Sequence, residues 1–201
     1  MPTALDVLAA EAGGCVRCPL AKGRTQVVFG MGDTHAALML IGEGPGAEED
    51  RQGLPFVGRS GRLLDRLVLE ELGLTRADCY VCNVVKCRPP ANRDPLPDEI
   101  DACRPWLERQ IDLVAPEVII TLGRFATQLL LDTTEGITRL RGRSFSYRSA
   151  ILVPTFHPAA VLRGGGGPMA QVRADLVRAK LALAGAGAAV ASGAGPADGS
   201  P

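Results

Sequence analysis

Short apolar runs alternate along the chain with segments in which apolar residues recur at helical spacing. Turn residues follow each run, which predicts buried strands. We place these strands at residues 37–42, 79–85, 117–122 and 150–155. The intervening segments predict helices, one of which carries Pro105, where a kink or a restart is expected. We place these helices at residues 62–72, 98–114, 123–131 and 169–183. The βαβαβ order predicts an α/β fold with a parallel sheet between two layers of helices.

Unusual loops follow three of the predicted strands. GEGPG follows the first strand, NVVKCRPPANR continues from the second, and FHPAAVLR begins where the last one ends. Ligands of parallel α/β sheets bind at the carboxyl ends of the strands, so these loops predict a site at one edge of the sheet. The arginine-rich segment RLRGRSFSYR, before the last strand, predicts a hairpin.

The chain is expected to form a single domain at residues 1–183, followed by a tail. Residues 184–201 are almost entirely Ala, Gly, Ser and Pro, and Val190 is their only larger apolar residue. Such a segment cannot bury enough apolar surface to offset the entropy lost on ordering. We therefore predict that the tail is disordered.

Charge and hydropathy narrow the class of protein. Lys plus Arg and Asp plus Glu number 22 each, so the formal net charge is zero. A protein that coats nucleic acid is usually basic, whereas one that contacts DNA over a short footprint need not be. No apolar run approaches the roughly 18 residues of a transmembrane helix, and no secretory signal is visible. We expect a cytoplasmic protein that does not enter the membrane.

The six cysteines need an explanation, because disulfides are rare in the cytoplasm. Cys79 and Cys82 lie in a predicted strand, where side chains three positions apart point to opposite faces, so we expect two small core residues. The other four lie in loops or beside a helix, where thiolates can converge: Cys15, Cys18, Cys87 and Cys103. Four thiolates suit zinc and an iron–sulfur cluster alike, and the spacing does not choose between them.

Three stretches together with these cysteines resemble the family 4 uracil-DNA glycosylases. The stretches are GEGPGAEEDRQGLPFVGRSGRLLD, NVVKCRPPANRDPLPDEIDAC and FHPAAVLR. The resemblance runs from about Cys15 to about Leu183 and is specific because all four features occur in order. It implies a three-layer α/β/α fold with a central four-stranded parallel sheet. It also implies a [4Fe–4S] cluster, held by Cys15, Cys18, Cys87 and Cys103.

The activity that the resemblance implies is excision of uracil from DNA in base excision repair. The enzyme would be monofunctional: it hydrolyses the N-glycosidic bond and leaves an abasic site without cutting the strand. The target nucleotide must first leave the stack, because its glycosidic carbon is out of reach inside the duplex. The substrate would be single- or double-stranded DNA, and the enzyme is expected to be a monomer.

The resemblance assigns base recognition to the loops after the first two strands. Asn83 would accept from uracil N3–H and donate to O4, a pairing that cytosine cannot make. Phe56 would stack on the base, a contact worth roughly 1–3 kcal/mol. Gly42 is placed at the base and Asn92 in the proline-rich loop. Read without the resemblance, Asn83 is more often a residue that binds backbone at a strand end. For Phe56 the alternative is ordinary core packing, but a phenylalanine between a proline and Val-Gly in a loop is a poor core anchor, which favours stacking.

The catalytic groups follow from the charge that develops as the bond breaks. His157 would donate to uracil O2, and preorganised donors of this kind give large rate effects. Glu43 is expected to face the cationic sugar and the water, and Glu49 with Asn92 would position groups or water. Gly44 stands where some related families carry an aspartate, and family 4 shares that lack. His35 matches no motif and is expected to be idle.

DNA contacts are expected from the same rim. Ser60 lies where a helix begins, and helix N-termini bind phosphate well. Arg163 follows the segment that the family places near the extruded nucleotide. Several further arginines could add electrostatic attraction, namely Arg88, Arg93, Arg139, Arg141 and Arg143.

Other classes of protein fit less well. A relative that stays covalently bound to the abasic site carries a histidine in a basic insert after the second strand, and KCRPPANRDP contains none. A metal-stapled DNA-binding module without catalysis would leave Glu43, Phe56, Asn83 and His157 unexplained. A nucleotide-binding fold is disfavoured because GEGPG is neither G-x-G-x-x-G nor a P-loop.

Overall fold

A computed structural model of the chain describes residues 1–164 and 166–192. The strands are β1 (Met31–Gly32), β2 (Leu38–Gly42), β3 (Cys79–Asn83), β4 (Val118–Leu122), β5 (Phe145–Tyr147) and β6 (Ala150–Thr155). The helices are α1 (Ala4–Gly13), α2 (Ala47–Gln52), α3 (Arg59–Leu72), α4 (Pro97–Val114), α5 (Arg124–Leu131), α6 (Ile137–Leu140), α7 (Pro158–Gly164) and α8 (Gly166–Ser192). Short 3-10 turns lie at Pro19–Lys22, Arg76–Asp78 and Pro90–Asn92.

The strands form one sheet in the order β1-β3-β2-β4-β6-β5. The four central strands are parallel, as predicted, and the edge strands β1 and β5 pair antiparallel to their neighbours. The arginine-rich segment does not form a hairpin by itself, because residues 139–140 end α6. Its strand β5 instead forms a hairpin with β6. The carboxyl ends of β2, β3, β4 and β6 therefore lie along one edge of the sheet.

Helices cover both faces of the sheet and bury two separate apolar clusters. On one face, Leu8 of α1 and Leu107 of α4 pack with strand residues such as Ile119. On the other face, Leu67 of α3 and Leu176 of α8 complete the core. The predicted three-layer α/β/α architecture is confirmed.

Cys79 and Cys82 show the strand geometry directly. Both thiols are buried, and they belong to the two different clusters on opposite faces of the sheet. Neither borders the cavity that the other four cysteines share, so the prediction that they are core residues is confirmed.

Several boundaries differ from the predicted ones. Helix α1 was not predicted, although a capping box of Thr3 with Asp6 begins it and the apolar Leu5 and Leu8 pack it on the core. Helix α4 continues through Pro105 without interruption. Strand β3 ends at Asn83 rather than at residue 85.

The last helix is longer than predicted. Helix α8 extends to Ser192 and so takes in the first half of the predicted disordered tail. This stretch is rich in alanine, which has the highest intrinsic helix propensity. The rest of the predicted tail, residues 193–201, lies outside the described residues.

Candidate functional site

A cleft of about 550 Å³ opens at the carboxyl ends of the parallel strands. It brings together loops that are far apart in the sequence, because each loop follows a strand that ends at this edge. The predicted site residues that border it are Glu43, Glu49, Phe56, Ser60, Asn83, Asn92, His157 and Arg163. The cleft also includes Arg59, Arg93 and Asp94, of which the sequence singled out only Arg93, as a source of electrostatic attraction.

Asn83 ends β3 at the bottom of this cleft. Its side chain is only 1% exposed, and its Oδ1 is buried without a hydrogen-bond partner among the described residues. An unsatisfied buried acceptor is costly unless a ligand supplies the donor. Gly42 leaves the necessary room, because a Cβ there would lie 2.5 Å from Asn83 Oδ1 and 2.4 Å from the Phe56 ring.

Phe56 is held in a backbone conformation that side chains seldom adopt. Its φ is +55°, in the left-handed region, which is strained for a bulky residue. Arg76 stabilises this turn by donating to the carbonyls of Pro55 at 2.7 Å and Phe56 at 2.6 Å. Asp65 holds the guanidinium in turn, at 2.7 Å. The clamp fixes the ring beside His157, with 5.8 Å between ring centroids.

His157 follows β6 and is held in one tautomer. The backbone N–H of Ala159 donates to its Nδ1 at 3.2 Å, so the ring proton belongs on Nε2. Burial, with a further effect of Arg163, lowers the pKa of His157 to about 4. The ring is therefore neutral at physiological pH and retains one N–H donor.

Glu43 is the cleft carboxylate with the strongly altered acidity. Desolvation by burial raises its pKa to about 7, and Asp94 adds to this while Arg124 opposes it. Asp94 and Arg124 form an ion pair with each other at the rim. Raised carboxyl pKa values in clefts are typical of acid–base sites.

Glu49 and Asn92 both border the cleft but have separate partners. Glu49 Oε1 accepts from the Gly58 N–H at 2.9 Å, which satisfies a backbone donor where α3 begins. Asn92 accepts from Arg88 Nε at 2.7 Å and has a φ of +54°. Each side chain thus stabilises its own loop at the border of the cleft.

The predicted DNA-contacting arginines divide into two groups. Arg163 borders the cleft, as do Ser60 and Arg59 at the start of α3. Arg141, in contrast, is paired with the buried Asp175 at 2.8 Å and packs over the Phe156 ring at 5.5 Å. A guanidinium committed in this way stabilises the fold and has little capacity left for phosphate.

Four cysteines border a second cavity, on the α1–α4 side of the sheet. These are Cys15, Cys18, Cys87 and Cys103, and all are free thiols. Arg24 Nη1 lies 3.5 Å from Cys87 Sγ, and the Lys86 N–H donates to Cys103 Sγ at 3.3 Å. In residues 1–164 and 166–192, no three His, Cys, Asp or Glu side chains meet closely enough to hold a single metal ion.

Comparison with known proteins decides the family. Residues 29–179 match the sequence model of the Uracil DNA glycosylase superfamily. The chain is 49% identical over 166 residues to the Type-4 uracil-DNA glycosylase of Saccharolobus solfataricus, across 79% of this chain and 77% of that protein. It is 42% identical over 179 residues to the Type-4 uracil-DNA glycosylase of Thermotoga maritima, across 88% and 93%. The chain belongs to the type-4 uracil-DNA glycosylases.

The resemblance drawn from the three loops is confirmed, and with it the reaction class. Uracil-DNA glycosylases hydrolyse N-glycosidic bonds, and this enzyme is accordingly a DNA-repair hydrolase. No helix in the described part of this glycosylase is long and apolar enough to cross a membrane.

Two residues that support the glycosylase site, Arg76 and Lys86, were not predicted from the sequence. Arg76 reaches Phe56 from a turn 20 residues away, and only the folded chain brings them together. Lys86 lies in an apolar stretch, VVKC, and is 2% exposed, so a buried role could have been inferred from its neighbours. Its hydrogen-bond partner Gln110 could not have been inferred from neighbouring residues, because it lies 24 positions away in the sequence.

Proposed function

We propose that this cleft receives a uracil nucleotide extruded from DNA and hydrolyses its glycosidic bond, leaving an abasic site and an intact strand. The unpaired Oδ1 of Asn83 carries this proposal. Uracil N3 bears a hydrogen that such an acceptor can bind, whereas cytosine N3 is itself an acceptor. Cytosine would leave the buried oxygen unpaired, and sites of this kind reject the wrong ligand strongly.

The neighbours of Asn83 suit a flat base. Phe56 offers a ring face beside the amide, and Gly42 keeps the space between them open. A base that enters this space stacks on Phe56 while its edge meets Asn83. The clamp of Arg76 on the Phe56 carbonyl means that the stacking surface is fixed before the base arrives.

Cleavage of the glycosidic bond leaves negative charge on the base and positive charge on the sugar, and the cleft has a residue that can stabilise each charge. As the bond between C1′ and uracil N1 breaks, its electron pair goes to the base, where O2 gains negative charge. The Nε2–H of His157 donates to that oxygen as a neutral imidazole. The Glu43 carboxylate stabilises the cationic sugar and takes a proton from the water that attacks C1′.

The remaining predicted residues are proposed to hold DNA and the loops around it. Ser60 and Arg163 would contact phosphates at the rim, and Arg59 joins them by its position. Glu49 and Asn92 would fix the loops on either side of the base. We further propose that residues 1–183 form the catalytic domain, and that it acts as a monomer.

We propose that Cys15, Cys18, Cys87 and Cys103 hold a [4Fe–4S] cluster. The cavity suits it: four free thiols surround one space, and each iron of such a cluster takes one thiolate. Trp106 also borders the cavity, and its Nε1 is a buried donor without a partner among the described residues. Cluster sulfurs accept such hydrogen bonds. When bound, the cluster supplies a covalent tie between the N-terminal segment and the loop that follows β3.

Excision from an oligonucleotide with one uracil, followed by alkali, tests the proposed roles. Wild-type enzyme should give alkali-dependent cleavage at the uracil, and His157→Ala should reduce the rate about 100-fold or more. His35→Ala is the matched control, because that histidine is exposed and remote from the cleft.

Three results would contradict the proposal. Wild-type rates in His157→Ala would remove that residue from catalysis. Absence of cleavage by protein that retains its cluster would refute hydrolysis in this cleft, and strand scission without alkali would refute the monofunctional mechanism.

A further inference from the structure

Lys86 lies buried between the cysteine cavity and the base-reading Asn83. Its side chain is 2% exposed, and it borders the cavity that the four cysteines share. We infer that Lys86 is a positioning residue that couples the two sites, fixing Asn83 while taking its countercharge from the cluster. This inference rests on the proposed function, because it needs both the cluster and the role of Asn83.

The contacts of Lys86 reach in both directions. Its Nζ donates to the backbone carbonyl of Asn83 at 2.6 Å, and its own backbone N–H donates to Cys103 Sγ at 3.3 Å. The next residue is Cys87, one of the four thiols. One residue therefore touches the backbone of the base-reading side chain and a proposed ligand of the cluster.

A second residue keeps the ammonium group in place. Gln110 Oε1 accepts from Lys86 Nζ, and Gln110 Nε2 donates to the Phe29 carbonyl at 2.9 Å and to the Tyr80 hydroxyl at 3.0 Å. Both side chains are buried. The ammonium thus sits at the end of a hydrogen-bonded network that spans the core between α4 and β3.

Within the part of the chain that the structure describes, the charge of Lys86 has no carboxylate partner. Its hydrogen-bond acceptors are a carbonyl and an amide, and its other neighbours are the Phe29 ring, at 5.8 Å from Nζ, and the buried thiol of Cys82. A buried charge without a counter-ion is strongly unfavourable. Four thiolates and a [4Fe–4S] core carry net negative charge, and they would occupy the cavity that Lys86 borders. The cluster would therefore supply the countercharge that residues 1–164 and 166–192 do not provide.

The consequence for recognition is direct. Asn83 Oδ1 must sit at a fixed place to meet uracil N3–H, and the carbonyl of the same residue is held by the ammonium. Removal of that bond lets the end of β3 move, and small displacements at a reacting site can reduce rates about 100-fold. Lys86 should therefore affect excision without touching the base.

Two readouts separate this role from a general effect on folding. Lys86→Met removes the charge and the donor, whereas Lys86→Gln removes the charge but keeps a donor for the Asn83 carbonyl. Lys22→Met is the matched control, since it deletes the same charge from an exposed lysine near Cys18. The measurements are the midpoint potential of the cluster, kcat/KM for uracil excision, and affinity for DNA with an abasic-site analogue.

Both Lys86 variants should move the midpoint potential to more negative values, because a cation next to the cluster favours the electron it gains. Lys86→Met should reduce kcat/KM about 10- to 100-fold, and Lys86→Gln should reduce it less. Affinity for the abasic analogue should change less than about twofold, since that ligand has no base to read. Lys22→Met should match wild type in all three measurements.

An unshifted potential or a wild-type kcat/KM in Lys86→Met would overturn the inference. Asn83→Asp is measured alongside, so that failure of the Lys86 inference can be distinguished from failure of the proposed role of Asn83. If that variant excises uracil as wild type does, the proposed role of Asn83 fails and the inference fails with it. If Asn83→Asp loses excision and Lys86→Met does not, the inference alone is wrong.

A variant without the buried charge can fail to fold, so Gln110→Met provides an independent test. It removes one acceptor of the Lys86 ammonium and leaves the charge in place. We expect kcat/KM to fall about 3- to 10-fold, the cost of a typical hydrogen bond, with the midpoint potential nearly unchanged. A wild-type kcat/KM in Gln110→Met would overturn the positioning role.

Discussion

The acidity of Glu43 gives the most specific prediction about catalysis. Burial raises its pKa to about 7, whereas His157 has a pKa of about 4 and stays neutral throughout the working range. If the Glu43 carboxylate is required, kcat/KM should fall towards about tenfold per pH unit below pH 7. An unperturbed glutamate would leave kcat/KM flat down to about pH 5.

Two residues at the rim of the cleft can be substituted to shift the acid limb, which is the pH range in which kcat/KM falls as Glu43 is protonated. Asp94 raises the pKa of Glu43 and Arg124 lowers it. Asp94→Asn should therefore shift the limb to lower pH, and Arg124→Met should shift it to higher pH. Both groups are exposed, so each shift is expected to be a few tenths of a pH unit.

The raised pKa of Glu43 also predicts that the protein loses stability as the pH rises. A carboxyl whose folded pKa is raised contributes stability that is present below its unfolded pKa and lost as pH rises through the folded pKa. Above pH 7, Glu43→Gln should therefore be more stable than wild type by about 1–2 kcal/mol, reduced from the full shift because the side chain is partly exposed. At about pH 4 the advantage should disappear.

Steady-state excision between about pH 5 and 9, with thermal unfolding over the same range, makes both measurements. Glu135→Gln is the control, because Glu135 is exposed and lies outside the cleft. A flat profile, or a limb that both rim variants leave unmoved, would refute the reasoning. So would a Glu43→Gln variant that is less stable than wild type at pH 8.

Four further changes test other parts of the site. Asn83→Asp should reduce uracil excision about 100-fold or more and weaken discrimination against cytosine, because a carboxylate cannot donate to O4; competition assays with both substrates measure this. Gly42→Ala should reduce excision at least as strongly, since a Cβ would lie 2.4 Å from Phe56; a variant with full activity would show that the pocket is not there. Arg76→Met should destabilise the protein by about 2–4 kcal/mol and raise KM, because Phe56 loses its clamp; unfolding in denaturant and steady-state kinetics measure the two effects. Cys87→Ala should abolish the visible absorbance of the cluster and lower the folded yield, and full absorbance would mean that the ligand set is wrong.

The parallel sheet and its site could be predicted from local patterns. Continuous apolar runs such as β4 leave little choice but a buried strand, and a strand that ends in a polar loop places that loop at the carboxyl edge. This is why Glu43, Asn83 and His157, which are far apart in sequence, were expected together and line one cleft. The motifs around them were specific enough to indicate the family.

The ends of helices and strands, and the edge strands of the sheet, were predicted less well from the sequence than the central strands. Helix α1 has a short apolar pattern, and its packing against α4 is a long-range contact that stabilises it. Strand β1 has only two residues, too few for any periodicity. The roles of the arginines also cannot be distinguished from the sequence. In the folded structure, Arg141 forms an ion pair with Asp175, whereas Arg163 borders the cleft.

The architecture, the family and the reactive residues could be predicted from the sequence, because they follow from periodicity and from motifs along the chain. The tuning and support of those residues depend on the folded structure. The pKa of Glu43, the strained φ of Phe56 under the Arg76 clamp, and the buried ammonium of Lys86 against Asn83 all depend on desolvation and on partners distant along the chain or folded back onto it. Such energies arise only when the core has closed around the groups concerned.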